Sequence, residues 1–215
     1  MNTISLQLLN DTHKAEAIEV LVAAFAQDPV LAYLIPEQEQ HKIQAIVFET
    51  ILNYCQSHQF VFGAYREDET LAGVAAWLPP GADLEDWLGW LQSGMFRLLG
   101  SVPLGLWGRW LEFFSLSRLP AQPVWSLQLL GVSPRCQRQG IGKKLLQPIL
   151  ELSEKTGISC HLETSTESAV SFYRRQGFEV IDCQPIGKQG PPYWLMQTGI
   201  PTRSNGVKNL ELSNS

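Results

Sequence analysis

The feature that most constrains this chain is a glycine-rich passage between two apolar segments, within residues 127–150. Leu127-Gln128-Leu129-Leu130-Gly131-Val132 is a short apolar run that Ser133-Pro134 brings to a stop, and it reads as a buried strand. Gln137-Arg138-Gln139-Gly140-Ile141-Gly142 follows, and from Ile141 onward Leu145, Leu146, Ile149 and Leu150 recur at helical spacing. The first N–H groups of a helix have no partner inside it, and the helix dipole adds partial positive charge at the same end. A turn of small residues ahead of such an end leaves those donors open, which suits a phosphate group. Pro148 lies inside this helix. An interior proline removes a hydrogen bond and costs about 3 kcal/mol or more, so the helix is expected to kink there or to be held by packing.

The turn lacks the Gly-Lys-Ser/Thr ending of a nucleotide P-loop, and it is not the three-glycine dinucleotide fingerprint. Gln137, Gly140 and Gly142, with Val132 and Pro134 ahead of them, instead resemble the pyrophosphate loop of the GCN5-related N-acetyltransferase (GNAT) family. The signature of that loop is Gln or Arg, two residues, Gly, one residue, then Gly or Ala. Leu162-Glu163-Thr164-Ser165 and Ser171-Phe172-Tyr173-Arg174-Arg175-Gln176-Gly177-Phe178 extend the resemblance, which is best over residues 125–180. The branch it resembles is the small-molecule one that includes puromycin N-acetyltransferase. Weaker echoes lie in Ala24-Phe25 with Asp28-Pro29, and in Tyr193-Trp194-Leu195-Met196.

The resemblance implies the acyl-CoA N-acyltransferase fold, an α/β architecture with a mixed, mostly antiparallel sheet of about seven strands flanked by helices. One such domain is expected over residues 1–200, with an aromatic-rich helical insert at 82–122 and a flexible tail at 201–215. It further implies acetyl-CoA as cosubstrate, no metal, and a small-molecule amine as acceptor. Backbone groups of Val132 and of Arg138, Gln139, Gly140, Ile141, Gly142 and Lys143, with Gln137 of the signature, would hold the cofactor, and Leu130 would lie along its pantetheine arm. Tyr173 would be the proton source for the departing thiolate, since a phenol of ordinary pKa near ~10 stays protonated at neutral pH.

The expected base is less direct. Many relatives place a glutamate on the central strand, where this chain offers Gln128 and Ser126, and an amide does not accept a proton at neutral pH. Glu163 and His161, on one face of the next strand, stand as the alternatives, with Glu163 placed to orient a cationic amine or take its proton. Relatives also carry Arg-Asn where this chain has Ser168-Ala169, which removes a side-chain contact to the cofactor. Three readings follow: a small-molecule N-acetyltransferase acting by direct attack in a ternary complex, a protein or peptide N-acetyltransferase, and a non-catalytic acyl-CoA-binding module.

Composition narrows the remaining classes. A net charge of −5 with no basic run argues against nucleic-acid partners. Cys55, Cys136, Cys160 and Cys183 are widely spaced and lack a Cys-x-x-Cys, and the first nine residues have no signal-peptide pattern, so a reduced cytoplasmic setting is expected. Cys136, beside the turn, reads as a small packing residue rather than a nucleophile. Monomer and homodimer both stay open.

Elsewhere the pattern predicts a strand at 4–9 and a helix capped by Asp11 or Thr12 that ends at Asp28-Pro29. A second helix after Pro36, carrying Ile43, Ile46, Val47, Thr50, Ile51 and Tyr54, and a hairpin of strands at 60–65 and 71–78 come next. The insert holds Trp87, Trp90, Trp107 and Trp110 and suggests helices at 84–91 and 104–116. Those helices either pack over one end of the sheet or wall an acceptor pocket or dimer contact; membrane-surface insertion ranks last, because Arg97, Arg109 and Arg118 are too few for a basic face. A strand at 158–163 with one apolar and one polar face, a helix capped by Thr166 or Ser165, and strands at 178–186 and 193–198 complete the chain.

Overall fold

The computed structural model describes residues 3–82, 87–116 and 122–199. The predicted tail at 201–215 and residues 84–86 of the predicted insert helix lie outside the described residues. Seven strands form one sheet: β1 (Ser5–Leu8), β2 (Val61–Tyr65), β3 (Leu71–Leu78), β4 (Trp125–Val132), β5 (Cys160–Thr164), β6 (Phe178–Pro185) and β7 (Pro192–Thr198). Their order is β1-β2-β3-β4-β5-β7-β6, and β4–β5 is the parallel pair in an otherwise antiparallel sheet. Helices α1 (Lys14–Ala24), α2 (Pro29–Leu34) and α3 (Gln40–Ser57) belong to one buried cluster, and α7 (Ile141–Thr156) and α8 (Glu167–Arg174) to the other. The sheet separates the two cores.

Local chemistry explains most boundaries. Asn10, rather than Asp11 or Thr12, is the cap at the first helix: its side chain accepts from Thr12 N–H at 3.0 Å and starts a short 3-10 turn that runs into α1. Asp28-Pro29 is not only the end of a helix, as predicted, but the start of α2. Asp28 Oδ1 accepts from the N–H groups of Val30 and Leu31, both at 2.9 Å, and Pro29 occupies the first helical position, where its missing N–H costs nothing. In α7, Pro148 is held by packing: the helix runs unbroken to Thr156 while Leu145, Leu146 and Ile149 beside it are fully buried.

The insert differs from its expected division. A helical run from α4 (Trp87–Trp90) passes through a π-turn at Leu91–Met95 into α5 (Phe96–Ser101), with Gly94 at φ 112°. Only glycine adopts that angle readily, which lets one helix follow another across a kink. After Pro103 comes α6 (Trp107–Leu116). Trp90 stacks on Tyr54 of α3 with ring centroids 4.3 Å apart, and Asn53 donates to the Ser93 carbonyl at 2.9 Å.

Two features of the central strands position the site. First, β4 and β5 pair at three positions, Trp125–Cys160, Ser126–His161 and Leu127–Leu162. Beyond these, β4 keeps β3 as its partner, Glu163 and Thr164 pair with β7, and the sheet parts. Second, Gln128 is an extra residue in β4 between the pairs Trp77–Leu127 and Ala76–Leu129. Such a bulge reverses which side chains face which way. Trp125 and Leu127 pack in the α7 core, but after the bulge Leu130 and Val132 do so while Leu129 joins the opposite core. Gly131 lies directly under α1, where an added Cβ would sit 2.8 Å from Leu21 Cδ2 and 3.1 Å from Ala24 Cβ.

The predicted polar face of the strand at 158–163 is not exposed. Ser159 and His161 are buried, because β5 is central and covered on both sides; Ser159 accepts from Gln197 Nε2 at 2.7 Å, and neither ring nitrogen of His161 has a partner. Burial without a partner disfavours the imidazolium and lowers the His161 pKa to about 4.

Gly131→Ala should destabilise the fold by about 1–3 kcal/mol in urea titration, through displacement of α1; an unchanged midpoint would contradict the close approach. His161 titrates near 6.5 when unfolded and about 4 when folded, so the unfolded chain binds the extra proton between those values. Stability should be full above pH 6.5 and fall as pH drops toward 4, by at most about 3 kcal/mol. His161→Phe should flatten that slope, and an unaltered slope would locate the effect elsewhere.

Candidate active site

A cavity of about 550 Å³ opens where β4 and β5 part. Leu130, Val132 and Gln137 line it from the strand and turn, Ser168, Ala169 and Tyr173 from α8, and Glu163 from β5. Leu34 of α2, Val47 and Ile51 of α3, and Trp110 and Phe113 of α6 wall it as well, so part of the insert packs in the core and part lines this cavity.

The turn ahead of α7 is shaped by its own side chains. Gln137 Nε2 donates to the Val132 carbonyl at 3.2 Å, folding the loop back on the end of β4. Arg138 and Gly140 hold left-handed backbone angles, φ 62° and 79°. Gly140 caps α7 without any side chain, and beyond its own atoms and its chain neighbours nothing lies within 4 Å of where its Cβ would be. The first helical bond runs from Lys144 N–H to the Gly140 carbonyl at 3.1 Å, so the N–H groups of Ile141, Gly142 and Lys143 precede the helical ladder. Arg138, Gln139, Gly140 and Lys143 are exposed at the helix start and do not line the cavity, while the Ile141 side chain is buried in the core beneath. Arg135, Arg138, Lys143 and Lys144 are all exposed, and none forms an ion pair among the described residues. Open donors, a glycine cap and nearby cations fit a diphosphate. The charge around this loop is diluted in an acidic chain, and composition does not reveal it.

The α8 side is fixed by contacts between elements. Thr166 caps the helix, accepting from Ala169 N–H at 3.3 Å, and Ser165 is thereby left to donate to Asp28 Oδ2 at 2.6 Å. Tyr173 is 8% exposed, with its ring edge-on to Phe172 and Phe178 at 5.1 and 5.7 Å. Burial pushes its pKa above the ordinary phenol value. The residue therefore meets the cavity with its hydroxyl protonated.

Glu163 faces the same cavity, and its Oε2 accepts a 2.6 Å hydrogen bond from the Tyr193 hydroxyl, which orients the carboxylate. Sequence reasoning singled out Glu163 but gave Tyr193 only as part of a weak motif, because the partner lies on another strand. His161, the alternative to it in the sequence, does not line the cavity and is buried in the core. Gln128 donates to Ser126 Oγ at 2.7 Å, so the two residues standing where relatives carry a glutamate are bonded to each other. Cys136 is buried and not part of the wall. Ser168 and Ala169 leave that wall uncharged. Among the described residues no cluster of His, Cys, Asp and Glu suits a metal ion, and no helix is long and apolar enough to cross a membrane.

Comparisons with known proteins bear on this geometry. Residues 22–178 match the sequence model of the acetyltransferase (GNAT) family. The chain is 29% identical over 174 residues to the uncharacterized N-acetyltransferase C550.08 of Schizosaccharomyces pombe, covering 76% of this chain and 69% of that one. Among solved structures, a protein of Corynebacterium glutamicum described as histone acetyltransferase HPA2 and related acetyltransferase superposes with a TM-score of 0.67 at 21% identity, covering 94% of this chain and 99% of that one. The PaiA N-acetyltransferase of Thermoplasma acidophilum in complex with coenzyme A gives a TM-score of 0.58 at 19% identity, covering 91% and 98%. At these identities the structural likeness is one of fold. With residues 22–178 inside the family match and the sheet parted over a glycine-capped helix, the chain belongs to the acetyltransferase (GNAT) family and is an acetyltransferase enzyme.

Proposed function

We propose that the protein transfers an acetyl group from acetyl-CoA to the primary amine of a small molecule, by direct attack within a ternary complex. The family match leaves the acceptor open, and the small-molecule branch is our reading of the site. The observation that carries it is the way α6 closes the acceptor side. Arg109 donates to the Tyr33 carbonyl at 2.9 Å and Trp110 Nε1 to the Leu34 carbonyl at 3.1 Å, tying α6 to α2. On its other flank Phe113 meets the Tyr193 ring at 5.5 Å, and the Glu112 carboxylate lies against Gly187 in the β6–β7 connection. A protein substrate needs a groove through which an extended chain can enter and leave. A helix strapped to both sides favours a compact pocket.

Within that pocket each residue has a defined task. The turn and the first N–H groups of α7 bind diphosphate, and the edge of β4 left by β5 offers backbone groups to an extended, amide-bearing ligand. Acetyl-CoA supplies the acetyl group as an activated thioester. Glu163, oriented by Tyr193, attracts the ammonium form of the acceptor and takes its proton. Tyr173 donates its hydroxyl proton to the sulfur that leaves.

Tyr173→Phe should lower kcat by about 10²-fold, the low end for loss of a general acid, with acetyl-CoA affinity unchanged. Full turnover in that variant would remove Tyr173 from the chemistry. Because burial raises the Tyr173 pKa, the wild-type kcat profile should rise with pH as the amine deprotonates and show no Tyr-dependent falling limb below about pH 10. A falling limb near neutrality that disappears in Tyr173→Phe would contradict that assignment. Glu163→Gln should lower kcat at neutral pH and lose part of the defect as rising pH deprotonates the amine without help; a defect independent of pH would point to a structural role.

A further inference from the structure

After the pair Leu127–Leu162 the ladder between β4 and β5 stops, and β7 holds Glu163 and Thr164 from the other flank. A side-chain contact crosses the gap instead. Ser165, the residue after β5, donates to Asp28 Oδ2 at 2.6 Å. Asp28 is in turn tied to the β4 side: its N–H donates to the Phe25 carbonyl at 3.0 Å, and Phe25 Cε2 lies 3.5 Å from where a Cβ on Gly131 of β4 would be. Asp28 and Ser165 both line the cavity.

Neither residue needs this contact for its own local structure. Asp28 caps α2 through Oδ1, and Thr166 rather than Ser165 caps α8. Yet Ser165 is only 8% exposed, and 2.6 Å is the separation of a hydroxyl bound to an ionised carboxylate, the stronger class of hydrogen bond. The bond acts between elements, not within one.

We infer that Asp28 and Ser165 form a clasp that fixes the width of the β4–β5 gap and so positions the site for the extended arm of coenzyme A. The inference rests on the acyl-CoA reading above and adds two positioning residues to it. Leu130 and Val132 line the gap from β4, and Glu163 and Thr164 from β5. Ser165 carries the chain from β5 to the Thr166 cap of α8, the helix on which Tyr173 stands. Opening the clasp frees the end of β5 and the start of α8 to move away from the β4 edge together. The turn ahead of α7 is built separately, by Gln137, Gly140 and the first N–H groups of the helix. Loss of the clasp therefore acts on the arm of the cofactor and not on its diphosphate end.

Titration calorimetry tests this on wild type, Ser165→Ala, Asp28→Asn and the double variant, with coenzyme A and with ADP, which carries a diphosphate but no arm. Asparagine keeps an oxygen for the α2 cap and removes the charge. Ser165→Ala should raise the Kd of coenzyme A about ten-fold, the scale of one hydrogen bond to a charged group, and leave that of ADP within about two-fold. Asp28→Asn should weaken coenzyme A less, and add no further loss once Ser165 is alanine, because both changes act through one bond. Unchanged coenzyme A affinity in Ser165→Ala, an equal loss for ADP, or losses that add in the double variant would overturn the proposal and leave the acyl-CoA reading intact. Wild-type protein that binds no coenzyme A would instead sink the reading on which the clasp rests.

Discussion

The parting of β4 from β5 after three paired positions is the constraint from which the rest of the site follows. Backbone N–H and C=O groups seek partners wherever water is excluded, and a central sheet normally supplies them. Here the sheet withholds them from one edge of β4 and turns the gap into a cavity. The bulge at Gln128 works with this break. It reverses the facing of the residues that follow, so Leu130 and Val132 point toward the α7 side while Gly131 lets α1 close on the other. Strand break, bulge and glycine turn occupy some fifteen consecutive residues.

Around that fixed centre the chain builds two unlike walls. On the turn side the wall carries the uncharged Ser168 and Ala169, and beyond the cavity lie Gly140 with its left-handed angle and the first N–H groups of α7. The other side is aromatic and aliphatic, built from α2, α3 and α6. Tyr173 and Glu163 come to one cavity from different elements, α8 and β5, each held by contacts the other does not share. Under the proposed function, a hydroxyl kept protonated by burial and a carboxylate oriented by a tyrosine would divide the handling of two protons between separate atoms.

How much of this could be read from the residues depends on how local each cause is. The glycine turn, the hairpin at β2–β3 and the Thr166 cap are set by neighbouring residues, and they stand where the sequence places them. The seven-stranded mixed sheet was legible through separated family motifs rather than through periodicity. Asp28-Pro29 misled because the same dipeptide that stops one helix begins another, and its capping bonds decide which. The alternation at 158–163 marks a polar face but not its burial: neighbours on both sides make β5 central, and His161 lies in the core. The bulge, the Tyr193–Glu163 pair across thirty residues and the bracing of α6 depend on tertiary contacts. No window of sequence contains them.

The central claim is that main-chain donors at the start of α7 hold the diphosphate of coenzyme A and thereby set the position of everything else in the cleft. Titration calorimetry with coenzyme A and with pantetheine, which shares the arm but lacks the diphosphate, tests it most directly, with Gly140→Asp as a partner variant. Tight binding of coenzyme A, strong weakening with pantetheine, and loss of coenzyme A binding in Gly140→Asp are the predicted results. Equal affinity for the two ligands, or a Gly140→Asp variant that binds coenzyme A as wild type does, would contradict the account.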